Sequence, residues 1–302
     1  MDRKIVFVTD WGAFVGVNKG MIYCRVKDNV KWSFSPVELS SIVFMVNCAL
    51  STEVVKLANE YGIDLVFFDG SEPVGRVISA KYGGSFRLWV SQIKSLRSRA
   101  VEFAREFVLG KVKNQITTLR YFYKLTQMES LRTIIANMED VIREGIESVA
   151  KAMEVEAKAA RFYWRGVREV LPKDLGFKGR KKYRSGDLDP FNTALNIGYG
   201  ILRSYVWRAV ISVGLLPYVG FLHKFRHGRP SLVFDLMEEF RSPFVDRPLI
   251  SLARKEKELI KDYKEVVKAV VKEINEEEIL TQARRLALAI LENRPYIPYR
   301  SK

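Results

Sequence analysis

The chain has 302 residues, 48% of them hydrophobic and 12% aromatic, which is enough to bury a core and, at roughly 100 to 200 residues per domain, indicates about two domains. Lysine and arginine outnumber aspartate and glutamate by 50 to 35, so the net charge is +15 and predicts an anionic partner, with nucleic acid ahead of a membrane surface. Two cysteines, Cys24 and Cys48, are too few for a disulfide framework or a cysteine-rich zinc module, and no uninterrupted apolar run of about 18 residues predicts a membrane span.

The N-terminal part, residues 4 to 80, alternates short β-rich runs with turn residues and predicts a small, mostly β domain. The predicted strands are KIVFVTD, AFVGVNKG, MIYCRV, VKWSFSP, SIVFMVN and DLVFFDG. One helix interrupts them, TEVVKLANEYG, with Ser51 or Thr52 as its N-cap and Gly62 just past its end. The segment SEPVGRVISAKYGGS supplies a last strand and a glycine-rich linker. Because the chain starts as a strand and carries an acidic residue there, we expect no secretory signal and a reducing, cytoplasmic location.

From Phe86 onward the hydrophobic period changes from two to 3.6, which predicts an almost entirely helical region. Residues 87–125 contain no proline and predict one or two long helices. Glycine, proline and basic residues between 171 and 190 predict a loop, after which helical patterning resumes. The sequence therefore predicts an α+β protein, in which a small N-terminal β-rich domain over residues 1–84 precedes a larger all-α C-terminal domain over residues 85–302.

Glu156 stands out on one predicted helix. The apolar stripe of this helix is predicted to contain Val149, Met153, Ala157, Ala160, Trp164 and Val167. At about 100° per residue, Glu156 falls about 60° from the centre of the stripe, on the buried side. A carboxylate left unpaired there would cost several kcal/mol, so a partner is expected. Two interpretations stay open: a boundary glutamate paired with a nearby lysine or arginine, or a metal ligand or acid/base group.

A second acidic feature lies in RPSLVFDLMEEFR, where Pro230 and Ser231 indicate a helix start. Asp235 and Glu238 are three residues apart and are therefore neighbours on the face opposite the apolar one. Apolar residues flank this strip, which predicts a partly buried setting. Two adjacent carboxylates repel each other there, so one is expected to bind a proton or both to share a cation. The alternative is a solvated acidic edge that the helix dipole favours.

The two histidines, His223 and His227, are four residues apart, as in zinc-binding pairs on helices. Lys224 stands where the metalloprotease motif has its glutamate, and Gly228 and Pro230 argue against a continuous helix. A zinc enzyme that uses both histidines is therefore the weaker interpretation. His223 also follows an apolar segment, where a histidine is more often a structural residue than a ligand.

The order of several motifs is more specific than any of them alone. VEAKAARFYW, DPFNTALNIGYGIL, GLLPYVGFLH and RPSLVFDLMEEFR, following a small β domain, resemble the CRISPR-associated integrase family of the spacer-acquisition machinery. VLGKVKNQ before them and RRLALAILENRPYIPY at the end extend the resemblance over nearly the whole chain. It implies that Glu156, His223 and Glu238 bind a divalent metal and carry out catalysis, with Asp235 as a further ligand or an outer residue. Ala157 stands where the family usually has glycine, and His227 has no counterpart in the motifs.

The resemblance implies a metal-dependent DNA endonuclease and integrase of CRISPR adaptation, in which a protospacer 3′-hydroxyl attacks a phosphodiester of the CRISPR repeat. Two carboxylates and an imidazole suit Mn²⁺ or Mg²⁺, which would polarise the phosphoryl oxygen. Either His223 or a water would act as the base. The resemblance also implies double-stranded DNA as substrate, a homodimer that forms through the β domains, and a small ferredoxin-like partner subunit.

Basic residues near these motifs are predicted to contact DNA phosphates, which positions DNA without reading its sequence. These residues are Lys181, Lys182, Arg184, Lys224, Arg226 and Arg229. For each of them, a solvated loop residue is the alternative. Another class of function also stays open: a non-catalytic basic DNA-binding scaffold in which the acidic cluster only stabilises the fold.

Overall fold

The computed structural model describes residues 3–70, 72–78, 85–181 and 188–301. Strands occupy the chain up to Val77 and helices follow from Phe86, so the predicted α+β fold with a β-rich first part is confirmed. Within the described ranges, no helix is long and apolar enough to cross a membrane.

The chain divides into two compact units. The first comprises Met1–Ser95, Trp207–Pro217 and Ala283–Arg294, and the second comprises Leu96–Val206, Tyr218–Gln282 and Pro295–Lys302. Residues 79–84, which include the predicted linker, lie outside the described residues, and a domain boundary after residue 84 stays a prediction.

The described part of the first unit contains two sheets. Its strands are β1 (Lys4–Val8), β2 (Ala13–Asn18), β3 (Met21–Val26), β4 (Asn29–Phe34), β5 (Leu39–Phe44), β6 (Ala49–Leu50), β7 (Asp64–Asp69) and β8 (Glu72–Val77). One sheet has the order β1-β5-β7-β8, with β1, β5 and β7 parallel and β8 antiparallel to β7. The other has the order β4-β3-β2-β6, in which β4, β3 and β2 are antiparallel and β6 joins β2 in parallel.

Helix α1 (Thr52–Tyr61) covers these strands and begins and ends where its sequence predicts. Ser51 accepts the Val54 N–H through its hydroxyl at 3.4 Å, and Gly62 ends the helix with φ at 65°, a conformation that glycine adopts without strain. The hydrophobic core of this unit is formed by buried side chains of the strands and of α1, among them Val15, Ile22, Leu39, Ile42, Phe44, Val54 and Leu65. Strand β6 was not predicted, because two residues are too few to show the alternation of apolar and polar side chains that indicates a strand.

The helices after the strands are α2 (Phe86–Ser98), α3 (Ala100–Thr126), α4 (Glu129–Arg143), α5 (Val149–Val170), α6 (Pro190–Ser212), α7 (Ser231–Arg241), α8 (Arg247–Lys255), α9 (Tyr263–Glu273) and α10 (Glu276–Leu291). The proline-free stretch thus forms two helices, which are separated at Arg99. In the second unit, α3 is the central helix and packs against α4, α5 and α7. Helix α7 begins directly after Pro230, as predicted.

Gly110 allows α3 and α7 to approach each other closely. A Cβ atom at this position would lie 3.1 Å from Glu239 Cγ and 2.8 Å from Pro298 Cβ. The following residue of α3, Lys111, consequently lies beside Glu238 of α7.

Helix α5 buries a different stripe from the predicted one. Its buried residues are Ala152, Val155, Ala159, Tyr163, Gly166, Val167 and Val170, whereas Met153 and Ala157 are exposed. The buried face is turned by roughly 100° about the helix axis from the predicted face. One reason is packing: a Cβ at Gly166 would lie 3.0 Å from Leu119, so Gly166 leaves room for α5 to approach α3 with this face. Glu156 lies between the two stripes and still borders the buried side.

The last residues of the chain are fixed against α3 and α7 by two buried polar side chains. Glu239 accepts hydrogen bonds from the Tyr296 hydroxyl and the Tyr299 N–H, both at 2.6 Å. Asn114 donates to the carbonyl oxygens of Glu239 and Tyr299 at 2.7 Å and 3.0 Å. Burial raises the pKa of Glu239 to about 8, although its hydrogen-bond donors lower it in part.

We expect the variant Glu239→Gln to change how stability depends on pH. The pKa of Glu239 rises from 4.5 when solvated to about 8 in the fold, so its contribution to stability is complete below about pH 4.5 and is lost as pH rises through 8. Guanidinium denaturation at about pH 5, 7 and 9 measures the free energy of unfolding. As pH rises, this free energy should fall less for Glu239→Gln than for the wild type. The exposed Glu258→Gln is the control and should follow the wild type. Parallel pH profiles for wild type and Glu239→Gln would contradict the expectation.

Candidate metal centre

Two carboxylates from different helices meet at one buried ammonium group. Glu156 of α5 and Glu238 of α7 both form ion pairs with Lys111 of α3, and Glu238 Oε2 lies 2.8 Å from Lys111 Nζ. The side chains of Lys111, Glu238 and Glu156 are 12%, 6% and 27% exposed. The structure thus brings together two of the three predicted ligands, and the partner predicted for Glu156 is Lys111.

Each buried charge in this cluster depends on its neighbours. Burial alone would raise the pKa of Glu238, but Arg241, Lys111 and His223 outweigh it and lower the pKa to about 2. Burial alone would lower the pKa of Lys111, but the attraction of Glu238 and Glu156 outweighs it and leaves the pKa above its usual value. Glu238 and Lys111 are therefore both charged at neutral pH.

The neutralisation of Glu238 is electrostatic and lacks well-aligned hydrogen bonds. Its Oε2 atom is buried, with Lys111 Nζ at 2.8 Å and Arg241 Nε at 3.1 Å, but neither contact has the geometry of a hydrogen bond. Oε2 of Glu238 therefore lies between two cations, and a metal ion that bound it would compete with Lys111.

Asp235 is fully buried and fixes the orientation of His223. Its Oδ2 accepts the Phe221 and Leu222 N–H groups at 2.6 Å and 3.0 Å. Its Oδ1 accepts the His223 N–H at 3.0 Å and lies 2.7 Å from His223 Nδ1. Because both oxygens accept, Nδ1 donates to Asp235, and Nε2 is the ring nitrogen that remains to bind a metal. Four donors also fill the acceptor capacity of the Asp235 carboxylate.

Gly220 allows the backbone to turn around this carboxylate. A Cβ atom at Gly220 would lie 2.7 Å from Asp235 Oδ2 and 2.8 Å from Ser231 Cβ. Any larger residue would push the loop away from α7 and with it the N–H groups that Asp235 accepts.

The two acids of α7 lie in the interior. Asp235 and Glu238 are both buried, which agrees with the flanking apolar residues and argues against a solvated acidic edge. Backbone N–H groups and His223 stabilise Asp235, whereas Lys111 and Arg241 stabilise Glu238.

The donor set fits a divalent metal in its chemistry, although Lys111 now stands between the two glutamates. Two carboxylates and an imidazole nitrogen are ligands that Mn²⁺ accepts and that leave positions for water or phosphate. Among the described residues, no three acidic, histidine or cysteine side chains are arranged closely enough to hold a metal ion as they stand. A metal ion bound by Glu156 and Glu238 would therefore replace the ammonium of Lys111.

His227 does not complete a zinc pair. The loop that contains both histidines is not helical, so the spacing of four residues does not place them on one face. Arg226 and Arg229 instead form a short bridge, and His227 and Gly228 make the exposed turn between them, with φ of Gly228 at 71°.

The predicted DNA-binding residues lie in two places. Lys224 and Arg226 are exposed in the loop after His223, and the guanidinium of Arg229 lies 5.0 Å from the centre of the Phe234 ring. Lys181 is exposed and is the last residue of the described range 85–181. Lys182 and Arg184 lie outside the described residues.

Comparison with known families decides what kind of protein has this architecture. The family model of the CRISPR associated protein Cas1 matches residues 6–283. The chain belongs to the Cas1 family. This confirms the family that the motifs predict.

Relatives and solved structures agree with the Cas1 assignment. The chain is 54% identical to CRISPR-associated endonuclease Cas1 1 of Saccharolobus solfataricus over 309 residues, which cover 100% of this chain and 85% of the relative. A casposase bound to its integration product has the same fold, with a TM-score of 0.80 at 20% identity over 98% of this chain and 97% of that one. A chain of a partial Cas6-RT-Cas1–Cas2 complex matches with a TM-score of 0.76 at 17% identity, over 100% of both chains.

Arg241 links the acidic centre of this Cas1 protein to a buried tyrosine. Its guanidinium lies 4.6 Å from the centre of the Tyr199 ring, while Arg241 Nε lies 3.1 Å from Glu238. Tyr199 in turn donates a 2.5 Å hydrogen bond to Asp246, in the π-helical turn Ser242–Asp246 that follows α7. Burial raises the pKa of Asp246 to about 6. Arg241 is thereby oriented from both sides.

Sequence reasoning did not identify Lys111 and Arg241 as part of the centre. Lys111 had a detectable signal, because Phe107 and Gln115, one turn before and after it, are both buried. A charge on the buried side of a helix is the criterion that singled out Glu156, and it applies equally to Lys111. Arg241 follows Glu238 by three residues, which is the spacing of a helical ion pair.

Asp235→Asn should weaken both the fold and the orientation of His223. The N–H₂ group of the asparagine would face N–H donors whose hydrogen bonds the carboxylate now accepts. We therefore expect the free energy of unfolding to fall by about 1–3 kcal/mol. Chemical denaturation measures this. Asp262→Asn is the control. Asp262 caps α9 by accepting a hydrogen bond from the exposed Lys264 N–H, and asparagine can accept the same bond. Equal stability of Asp235→Asn and wild type would show that the four contacts do not hold the loop.

Proposed function

We propose that this Cas1 protein is a divalent-metal-dependent DNA endonuclease and integrase of CRISPR adaptation. The observation that carries the proposal is the convergence of Glu156 and Glu238 on one cation position, near an imidazole whose Nε2 is free. Similar proteins support the same reaction class: one relative is called an endonuclease, and a casposase of the same fold is bound to an integration product.

The proposed ligands are Glu156, Glu238 and His223 through Nε2, and the proposed ion is Mn²⁺ or Mg²⁺. The ion would polarise the phosphoryl oxygen and neutralise charge in the transition state. Asp235 acts as an outer residue, because its lone pairs are taken by the loop and by His223. Outer partners of this kind typically change metal affinity or activity by about 10- to 100-fold.

The chain's own residues then have distinct tasks in strand transfer. The protospacer 3′-oxygen forms a bond to phosphorus, the bond to the repeat's 3′-oxygen breaks, and the number of phosphodiesters is unchanged. If Nε2 of His223 binds the metal, it cannot also accept a proton; the proton of the attacking hydroxyl would then pass to water, and water would return a proton to the leaving 3′-oxygen. Lys111, displaced from the carboxylates, can turn its ammonium toward the phosphate.

The proposed substrates are double-stranded protospacer DNA and the CRISPR repeat. A net charge of +15 supports an anionic substrate, and the exposed Lys181, Lys224 and Arg226, together with Arg229, are the proposed phosphate contacts. We further propose a homodimer formed through the β-rich part and a small ferredoxin-like partner subunit. In support, a chain of the same fold belongs to a Cas1–Cas2 complex.

One observation favours a second function, a non-catalytic DNA-binding scaffold. Lys111 already neutralises Glu156 and Glu238 without any metal, which is what a purely structural cluster requires. Both functions predict salt-sensitive DNA binding. They differ in whether removal of a carboxylate abolishes a chemical step or only lowers stability.

Glu156→Gln and Glu238→Gln should each abolish Mn²⁺-dependent strand transfer, with losses well above 100-fold, since more is lost with a ligand than with an outer partner. Joining of a labelled oligonucleotide to repeat DNA measures the transfer, and a binding assay shows whether DNA affinity is kept. Glu154→Gln is the matched control, because Glu154 is exposed on the same helix two residues away. Full transfer by Glu156→Gln would refute the assignment.

Lys111→Met tests whether the ammonium occupies a metal position. Without Lys111 the two glutamates repel each other, so the variant should unfold at a lower temperature than wild type in EDTA. Mn²⁺ should then raise its melting temperature more than that of wild type, because no ammonium has to be displaced. Lys111→Met combined with Glu238→Gln should lose this response. No Mn²⁺ response in Lys111→Met would favour the scaffold.

A further inference from the structure

One large apolar side chain points into solvent from the loop that carries His223. Phe225 is 68% exposed, and the residues on either side of it, Lys224 and Arg226, are exposed as well. Isolated exposed apolar residues are common on protein surfaces. Phe225 differs from the others in its distance from the metal centre and in the charge around it.

The position of Phe225 along the chain fixes how far it can lie from the centre. Two peptide units separate Phe225 from His223, so their Cα atoms are at most about 7 Å apart even in a fully extended chain. A phosphodiester that reacts next to His223 Nε2 therefore carries its nearest bases to within reach of the Phe225 ring. Among the described residues, Tyr263 is another strongly exposed aromatic, at 64%, but it lies at the start of α9 and carries no such constraint.

The loop holds Phe225 in a defined place. Ser231 donates a 3.1 Å hydrogen bond from its hydroxyl to the Lys224 carbonyl, next to Phe225. On the other side, the Arg229 N–H donates to the Arg226 carbonyl at 3.0 Å and closes the turn. Ser231 is the first residue of α7, the helix that carries Asp235 and Glu238. The ring and the carboxylates are thus presented by one connected piece of backbone.

Phe234 of α7 is a second aromatic ring beside His223, but its surface is already in contact with other side chains. His223 packs against Phe234 with the ring centres 6.4 Å apart, and the Arg229 guanidinium lies 5.0 Å from the same ring. Phe234 is therefore engaged inside the loop. Phe225 presents its surface outward, between two exposed cations.

An aromatic ring between cations fits a nucleotide better than other ligands. Lysine and arginine contact phosphates, while an aromatic ring stacks on the flat face of any base, whatever the sequence. We propose that Phe225 stacks on a base next to the reacting phosphodiester and so positions that DNA strand for the chemistry at Glu156, His223 and Glu238. This role as a positioning residue rests on the proposed function.

Fluorescence of 2-aminopurine detects stacking directly. The probe is a branched DNA that mimics an integration product, with 2-aminopurine on either side of the branch-point phosphodiester and Ca²⁺ as the divalent ion. Wild type and Phe225→Trp should quench one of the two positions. Phe225→Ala and Phe225→Leu should leave it unquenched and bind the branched DNA about 5- to 150-fold more weakly, as loss of one stacked base predicts.

Controls separate stacking from a structural or a docking role. Tyr263→Ala should match wild type in quenching and affinity, and the melting temperature of Phe225→Ala should be unchanged because the ring is exposed. Quenching by Phe225→Ala equal to that of wild type would overturn the proposal. So would full rescue by Phe225→Leu, since an apolar contact without a ring indicates a protein partner instead of a base.

Failure of this inference can be told apart from failure of the proposed function. If Glu238→Gln keeps its strand transfer, the metal centre is wrongly assigned, whatever Phe225 does. If Glu238→Gln is inactive while Phe225→Ala transfers and quenches normally, only the stacking role is wrong. Loss of quenching in Phe225→Ala, with normal quenching in Glu238→Gln, supports the inference.

Discussion

A buried ammonium shared by two carboxylates constrains the helical part of the molecule more than any other contact. Lys111 keeps its positive charge because Glu156 and Glu238 flank it. Glu238 keeps its negative charge because Lys111 and Arg241 lie beside it. Leaving one of these groups alone in the interior would cost several kcal/mol. Helices α3, α5 and α7 therefore have to meet at one point for any of the three to be well placed, and Gly110 removes the side chain that would keep α3 from α7.

Around this cluster, other residues orient the side chains that matter most. Asp235 gathers three backbone N–H groups and the imidazole of His223, which fixes both the ring and the position of its proton. Arg241 is held between Glu238 and the Tyr199 ring. The outer contacts come from a loop and a neighbouring helix, so the side chains of the centre are oriented by residues far apart along the chain. Such preorganisation is what metal-assisted phosphoryl chemistry needs.

Local signals in the sequence predicted the elements well, and long-range contacts were predicted poorly. The change of hydrophobic period at Phe86, the caps of α1 and the start of α7 all involve residues within one or two turns of each other. Lys111 was missed because a lysine with a long apolar stem is compatible with a helix boundary, and its partners lie on other helices. The role of Asp235 depends on backbone N–H groups, which no side-chain pattern encodes. The stripe on α5 was misplaced because two neighbouring faces of this helix carry apolar residues, and the contact of Gly166 with Leu119 of α3 lies on the face that was not chosen.

The π-helical turn after α7 sets the phase between two segments that would otherwise be one continuous helix. A π turn carries one residue more than an α turn, so everything downstream is rotated by about 100° relative to an uninterrupted helix. Glu238, before the turn, contacts Lys111, and Asp246, the last residue of the turn, accepts the hydrogen bond from Tyr199. The extra residue is therefore a spacer: its deletion would turn α8, with its buried Leu249 and Ile250, by about 100° relative to α7.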